Sequence, residues 1–130
     1  MRAYLGIKYH ADHSNKPQID STSSIIEKCG YSVTCIARDI EKWGQVSFSP
    51  RELMIKTFDI IDSSDIVIID LSEKGVGLGI EAGYAYSIKV PIITIANNND
   101  ISSTLIGISK NHYVYENEND LYEFFCSVLG

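Results

Sequence analysis

The stretches DIVIIDL (Asp65–Leu71) and VPIITIA (Val90–Ala96) are almost unbroken apolar runs of strand length. A strand with one wetted face alternates apolar and polar residues. A run without that alternation is covered on both faces, and such strands belong to parallel sheets flanked by helices. The other segments fit that frame. AYLGIKY (Ala3–Tyr9) and the β-branched YSVTCIA (Tyr31–Ala37) are predicted as the first two strands, and a fifth is expected near His112–Tyr115.

Helical signals fall between the strands. Ser14–Lys28 carries Ile19, Ile25 and Ile26 at roughly helical spacing and stops at Gly30. SPRELMIKTFDIID offers Ser49 as N-cap, Pro50 at the first helical position and Glu52 to complete a capping box. Further helices are predicted at Leu78–Ile88, Ile101–Ser109 and Glu118–Val128, the last capped by Asn117. The order βαβαβαβαβα predicts an α/β protein with a five-stranded parallel sheet and helices on both faces. With no repeat, linker or low-complexity tract, residues 1–130 read as a single domain.

Charge narrows the partners. A net charge of −6 disfavours nonspecific binding to a nucleic acid polymer or an anionic membrane, which needs a basic face. The opening MRAYLGIKYHADHSNK lacks an apolar h-region, so no signal peptide is expected. Three cysteines, Cys29, Cys35 and Cys126, form an odd set without CxxC spacing and fit a reducing, cytoplasmic setting as plain small apolar residues. His10, His13 and His112 show no metal-ligand spacing, and no Ser-His-Asp or Cys-His arrangement can be read, so no metal site is expected.

In open α/β sheets, ligands bind beyond the carboxyl ends of the strands. The loops Lys8–Asn15, Arg38–Ser47, Ser72–Gly77 and Asn97–Asp100 leave that edge. The segment GVGLGIEAGYAY (Gly75–Tyr86) stands out among the residues there. Glu81 is predicted in the first turn or so of the third helix, where unpaired N–H groups and the helix dipole keep a carboxylate ionised, as suits a nucleophile. The same placement suits a carboxylate that only stabilises the helix. Gly75, Gly77 and Gly79 clear side chains from around it. Gly83 is expected to let the helix lie tightly on the sheet. GLGIEA (Gly77–Ala82) also matches the dinucleotide-binding pattern GxGxxA. That pattern belongs directly after a first strand; here it follows the third strand and the loop SEKGV, so dinucleotide binding ranks below the other readings.

Two segments carry a family resemblance. VGLGIEAGYAYSIKVPIITI (Val76–Ile95) resembles the nucleoside 2-deoxyribosyltransferase superfamily, including the 2′-deoxynucleoside 5′-phosphate N-hydrolases. YLGIKYHADHSNK is similar to the transferases' first strand and loop, with Tyr4, Gly6, Asp12, Asn15 and Lys16 in matching places, and the spacing from Asp65 to Glu81 fits without a gap. The resemblance covers most of Met1–Ile95, is specific around Val76–Ala85 and weakens after Asn97. It implies a flavodoxin-like three-layer sandwich with strand order 2-1-3-4-5. It also implies a homodimer or higher homo-oligomer whose subunits complete each other's sites. The implied activity is cleavage or transfer at the N-glycosidic bond of a nucleoside or nucleoside 5′-monophosphate, in nucleotide salvage, with no cofactor. Glu81 would attack the anomeric carbon to form a glycosyl–enzyme intermediate, and Tyr4 would orient it.

The chain departs from the family at two acids. Thr57 stands where the family usually has an aspartate used for sugar contact and catalysis. Gly75 stands where the transferases carry an acid that helps protonate the base and the phosphate hydrolases tend to have serine. Base departure needs a proton donor. Asp39, Glu41, Asp70 and Glu73 are the candidate replacements; Asp70, ending the third strand, is the best placed by sequence and equally suits a turn-capping role. Gly75 could offer its N–H to a phosphate, with Lys74 or Lys8 supplying charge. Tyr9 stands where the transferases have a base-pocket tryptophan, and Trp43 in RDIEKWG suits a lid or a packing role. Ser103 falls near a stretch that reaches a neighbour's phosphate in the hydrolases. The two acid substitutions also leave room for a nucleotide-binding or sensing module of the same fold that has lost turnover.

Overall fold

The computed structural model describes residues 1–129. Its elements are β1 (Arg2–Ile7), α1 (Lys16–Lys28), β2 (Ser32–Cys35), α2 (Pro50–Asp62), β3 (Ile66–Asp70), α3 (Val76–Ser87), β4 (Ile92–Ala96), α4 (Ser103–Ile106), β5 (Asn111–Val114) and α5 (Glu118–Leu129). The strands form one parallel sheet in the order β2-β1-β3-β4-β5. This is the expected flavodoxin-like topology.

Strand alternation divides the interior into two cores. Ala3, Leu5, Ile66, Ile68, Ile93 and Ile95 point to one face, where they meet Ile19, Ile25 and Ile26 of α1 and Leu121 and Phe125 of α5. Tyr4, Val67, Ile69 and Ile92 point to the other face and meet Ile61 of α2 and Leu78, Ala82 and Ala85 of α3. Every residue of β3 and β4 is buried, which explains why both runs lack polar alternation.

Local signals act as the sequence predicts in several places. Ser49 and Glu52 form a reciprocal capping box on α2 behind Pro50. Gly30 ends α1 with φ +93°. The Asp120 N–H donates to Asn117 Oδ1 at 3.0 Å, which caps α5.

Two segments differ from expectation. Strand β2 ends at Cys35, because Ile36–Ile40 winds into a π-turn closed by the Glu41 N–H on the Ile36 carbonyl at 2.9 Å. The Asp39 carboxylate accepts from the Cys35 N–H at 2.9 Å and fixes that departure. The expected helix over Ile101–Ser109 contracts to α4. Ser102 caps its start, and Ser109 turns away to bond Thr94 Oγ1 at 2.7 Å.

Candidate active site

Strand β1 builds the floor of the site. Tyr4 and Gly6 are two residues apart and so face α3 together; Gly6 pairs with Ile69 in the sheet. A Cβ on residue 6 would lie 2.7 Å from Glu81 Oε1 and 2.9 Å from Ile69 Cδ1. Only a glycine leaves room for the carboxylate there. Gly6 is therefore the glycine the site requires, for a steric reason rather than a conformational one.

Helix α3 supplies Glu81. Leu78, Ala82 and Ala85 are buried along one stripe, and Glu81 falls on the same stripe by its i+3 spacing from Leu78. This corrects the first-turn expectation: Glu81 is the sixth residue of α3, and its carboxylate faces the sheet. Oε1 is buried without a hydrogen-bond partner. Burial raises the Glu81 pKa from 4.5 to about 7; the adjacent Tyr4 hydroxyl favours the ionised form and limits the rise. The carboxylate is thus destabilised by its surroundings, contrary to the expectation that the helix start keeps it ionised. Tyr4, 1% exposed, has its own pKa raised well above 10, first by burial and then by the Glu81 charge.

The Glu81 carboxylate opens on a cavity of about 360 Å³ lined by Tyr4, Ile7, Tyr9, Cys35, Glu41 and Leu78 among others. Tyr9 and Glu41 also line an adjoining hollow of about 440 Å³ with His13 and Trp43. The Tyr9 and Trp43 rings lie 5.5 Å apart, and Lys16 Nζ sits 4.8 Å from the Trp43 ring centre. Tyr9 bonds His13 through its hydroxyl. Tyr9 and Trp43 together form an aromatic rim to this hollow. A larger cavity of about 610 Å³, lined by Tyr86, Lys89, Pro91 and Lys110, holds no carboxylate and lies at the amino ends of β4 and β5.

Other candidates fall elsewhere. Asp70 is not brought to Glu81; it lines a separate small hollow with Lys8, His10 and Glu73. Its carboxylate accepts from the Tyr115 hydroxyl at 2.8 Å, the Ser72 hydroxyl at 2.6 Å and the Ser72 N–H at 2.8 Å. Ser72 Oγ in turn accepts from the Asn97 N–H at 3.0 Å. Asp70 thereby ties the β3–α3 loop to the β4–α4 loop, and burial raises its pKa against these bonds. Lys74 pairs with Asp100 at 3.1 Å, so its charge is partly answered. Gly75, Gly77 and Gly79 are exposed; of these only Gly77 comes near the carboxylate, its Cβ position lying 3.9 Å from Glu81 Oε2. Gly83 is exposed with open space beside it and makes no close approach to the sheet, because it sits on the outer face of α3. Ser103 is exposed on α4. Thr57 is buried, and its hydroxyl bonds the Leu53 carbonyl at 2.8 Å.

The fold also assembles a Ser-His-acid chain that no sequence spacing reveals. His10 Nδ1 meets Ser14 Oγ at 2.7 Å, and His10 Nε2 meets Glu73 Oε2 at 2.6 Å. The Ser14 N–H is held by Asp12 at 2.9 Å. This chain fastens the β1–α1 loop to the β3–α3 loop, at the side of β1 away from Glu41.

No protein-family model matches the chain. A candidate 2′-deoxynucleoside 5′-phosphate N-hydrolase 1 of Thermofilum pendens is 22% identical over 140 residues, covering 99% of this chain and 95% of that protein. The CMP N-glycosidase structure from Clostridium botulinum superposes with TM-score 0.71 at 20% identity, over 96% of this chain and 98% of that one. The 2-deoxyribosyltransferase structure from Bacillus psychrosaccharolyticus superposes with TM-score 0.73 at 15% identity, over 99% and 96%. The two structures share this fold, and the Thermofilum pendens relative agrees with the resemblance to the nucleoside 2-deoxyribosyltransferase superfamily that the sequence carries.

Proposed function

We propose that the protein is an enzyme that cleaves the N-glycosidic bond of a nucleoside or nucleoside 5′-monophosphate, by hydrolysis or by transfer to a second base. The observation that carries this reading is Glu81 Oε1, buried and unpaired above Gly6, with its carboxylate opening on a cavity. A carboxylate with no cation or donor to answer Oε1 is a costly feature for a structural residue. It suits a nucleophile whose charge is consumed on attack. The names of the relatives, an N-hydrolase of deoxynucleoside 5′-phosphates and a CMP N-glycosidase, favour a 5′-monophosphate.

In this mechanism Glu81 attacks C1′ of the sugar while the base departs, giving a glycosyl–enzyme ester. Tyr4 lies beside the carboxylate, favours its ionised form and orients it toward C1′. The base stacks on the Tyr9–Trp43 rim, and Lys8, Lys74 and the N–H groups of Gly75 and Gly77 are the candidate donors for a phosphate. Water or a second base then resolves the ester. No metal or organic cofactor enters these steps.

The outward stripe of α3 supports assembly as a homodimer. Val76 is 83% and Ile80 46% exposed, beside the open Gly79 and Gly83. Sedimentation at micromolar concentration is expected to give the mass of a dimer; a monomer mass overturns that part.

The experiment is a panel of nucleosides and 5′-monophosphates, with and without an acceptor base, followed by chromatography for free base. Base release is expected from the wild type and not from Glu81→Gln. A second reading, ligand binding without turnover, is favoured by Thr57 and Gly75 standing at positions where the family has catalytic acids. Tight binding with no base released from any substrate would select it over the enzyme.

A further inference from the structure

Base departure in the mechanism above requires a proton, and the two family positions that would supply acids hold Thr57 and Gly75. Six acids lie on the site-side loops and strand ends, and the geometry separates them. Asp12 accepts from the Ser14 N–H at 2.9 Å, and Asp100 pairs with Lys74 at 3.1 Å. Asp39 is engaged by Arg38 Nε at 2.9 Å and by the Cys35 N–H at 2.9 Å. Glu73 is paired with His10 at 2.6 Å. Asp70 is held by Tyr115 and Ser72 in a separate hollow. Glu41 makes no hydrogen bond or ion pair through its carboxyl among the described residues, and it lines the Glu81 cavity.

The backbone explains how Glu41 comes to face inward. Its N–H closes the π-turn on Ile36, and its carbonyl accepts from the Gly44 and Val46 N–H groups, each at 3.0 Å. The next residues, Lys42, Trp43 and Gly44, all have positive φ, at 49°, 59° and 91°. Left-handed backbone costs about 1 kcal/mol or more for each residue with a side chain. A tightly bonded turn holds that strain, and it carries Glu41 and Trp43 together to the rim where the base is expected.

We propose that Glu41 is the general acid that protonates the departing base. This rests on the N-glycosidase reading above. In the first step a Glu81 oxygen forms a bond to C1′ as the C1′–N bond breaks. The electron pair of that bond leaves with the base nitrogen, and the Glu41 proton passes to the base, leaving Glu41 as carboxylate. In the second step Glu41 takes a proton from the attacking water. The water oxygen bonds C1′, the ester bond breaks, and its electron pair returns to Glu81. Burial raises the Glu41 pKa, which helps it hold the proton it must give.

The test compares two leaving groups in single turnover, so that only the first step is read. One substrate is the best nucleoside 5′-monophosphate from the panel; the other is the matching 4-nitrophenyl glycoside, whose phenolate departs without a proton. Glu41→Gln is expected to lose about 100-fold or more on the nucleotide, and at least ten-fold more there than on the nitrophenyl glycoside. Glu81→Gln is expected to fail on both. Glu41→Asp, which keeps a proton, is expected to retain more nucleotide cleavage than Glu41→Gln. Equal losses of Glu41→Gln on both substrates, or no loss on the nucleotide, overturn Glu41 as the acid and leave the glycosidase reading standing. A wild type that cleaves neither substrate overturns both.

Discussion

Replacing Glu81 by glutamine should make the protein more stable, by an amount that grows as pH rises from 4.5 to about 7 and is constant above that. The carboxyl pKa rises from 4.5 to about 7 because the group is buried. The folded protein therefore holds this proton more tightly than the unfolded chain. Between pH 4.5 and about 7 folding loses stability as pH rises, and above that the loss is complete. At about 1.4 kcal/mol per pH unit, the full difference is about 3 kcal/mol. Glutamine keeps the shape and cannot ionise, so it escapes the loss. Its advantage over wild type should be about 3 kcal/mol at pH 8 and less than about 1 kcal/mol at pH 5. For a chain of this size that corresponds to roughly 10 °C in Tm at pH 8. Urea unfolding followed by the fluorescence of Trp43, the single tryptophan, at pH 5 to 8 reads this directly. Other titrating groups cancel in the difference between variant and wild type. A variant no more stable than wild type at pH 8, or an advantage equal at pH 5 and pH 8, would refute the claim that Glu81 is held ionised against its surroundings.

Two further substitutions separate site from scaffold. Gly6→Ala places a Cβ 2.7 Å from Glu81 Oε1 and 2.9 Å from Ile69 Cδ1; it should cost about 1–3 kcal/mol in urea unfolding and abolish base release in what remains folded, whereas a neutral outcome on both would remove Gly6 from the site. Asp70→Asn disturbs the bonds from Tyr115 at 2.8 Å and Ser72 at 2.6 Å; it should cost about 1–3 kcal/mol while changing base release per folded molecule only a few-fold, and loss of turnover in a fully stable Asp70→Asn protein would make Asp70 catalytic instead.

Part of the site is legible in the chain because it is local. Glu81 stands out against its glycines, and Tyr4 and Gly6 are two apart on a strand whose face is set by alternation. Its helix position is also readable in retrospect: Leu78, Glu81, Ala82 and Ala85 keep the i, i+3, i+4, i+7 spacing of one stripe. That signal was available and points to a buried carboxylate rather than one stabilised at a helix start. The glycines misled for a related reason. Gly75, Gly79 and Gly83 look like clearance for a ligand or the sheet, but they are exposed at the start of α3 and along it, and the clearance comes from Gly6 on β1.

The sequence by itself determined the architecture, since unbroken apolar runs alternating with capped helices leave few arrangements besides a parallel sheet covered on both faces. It also singled out Glu81, the nucleophile proposed here, because a carboxylate among small and apolar residues is conspicuous one residue at a time. Only the tertiary structure decided which acid shares Glu81's cavity. Asp39, Glu41, Asp70 and Glu73 are equivalent as letters, and they part company through contacts with Arg38, Tyr115, Ser72 and His10, of which Tyr115 and His10 are distant in the chain from the acids they meet. A π-turn and three successive left-handed residues then aim Glu41, free of any such contact, into the hollow. The pairings with Tyr115 and His10 are set by which loops the strand order places side by side, whereas the turn is held by its own bonds among Ile36, Glu41, Gly44 and Val46.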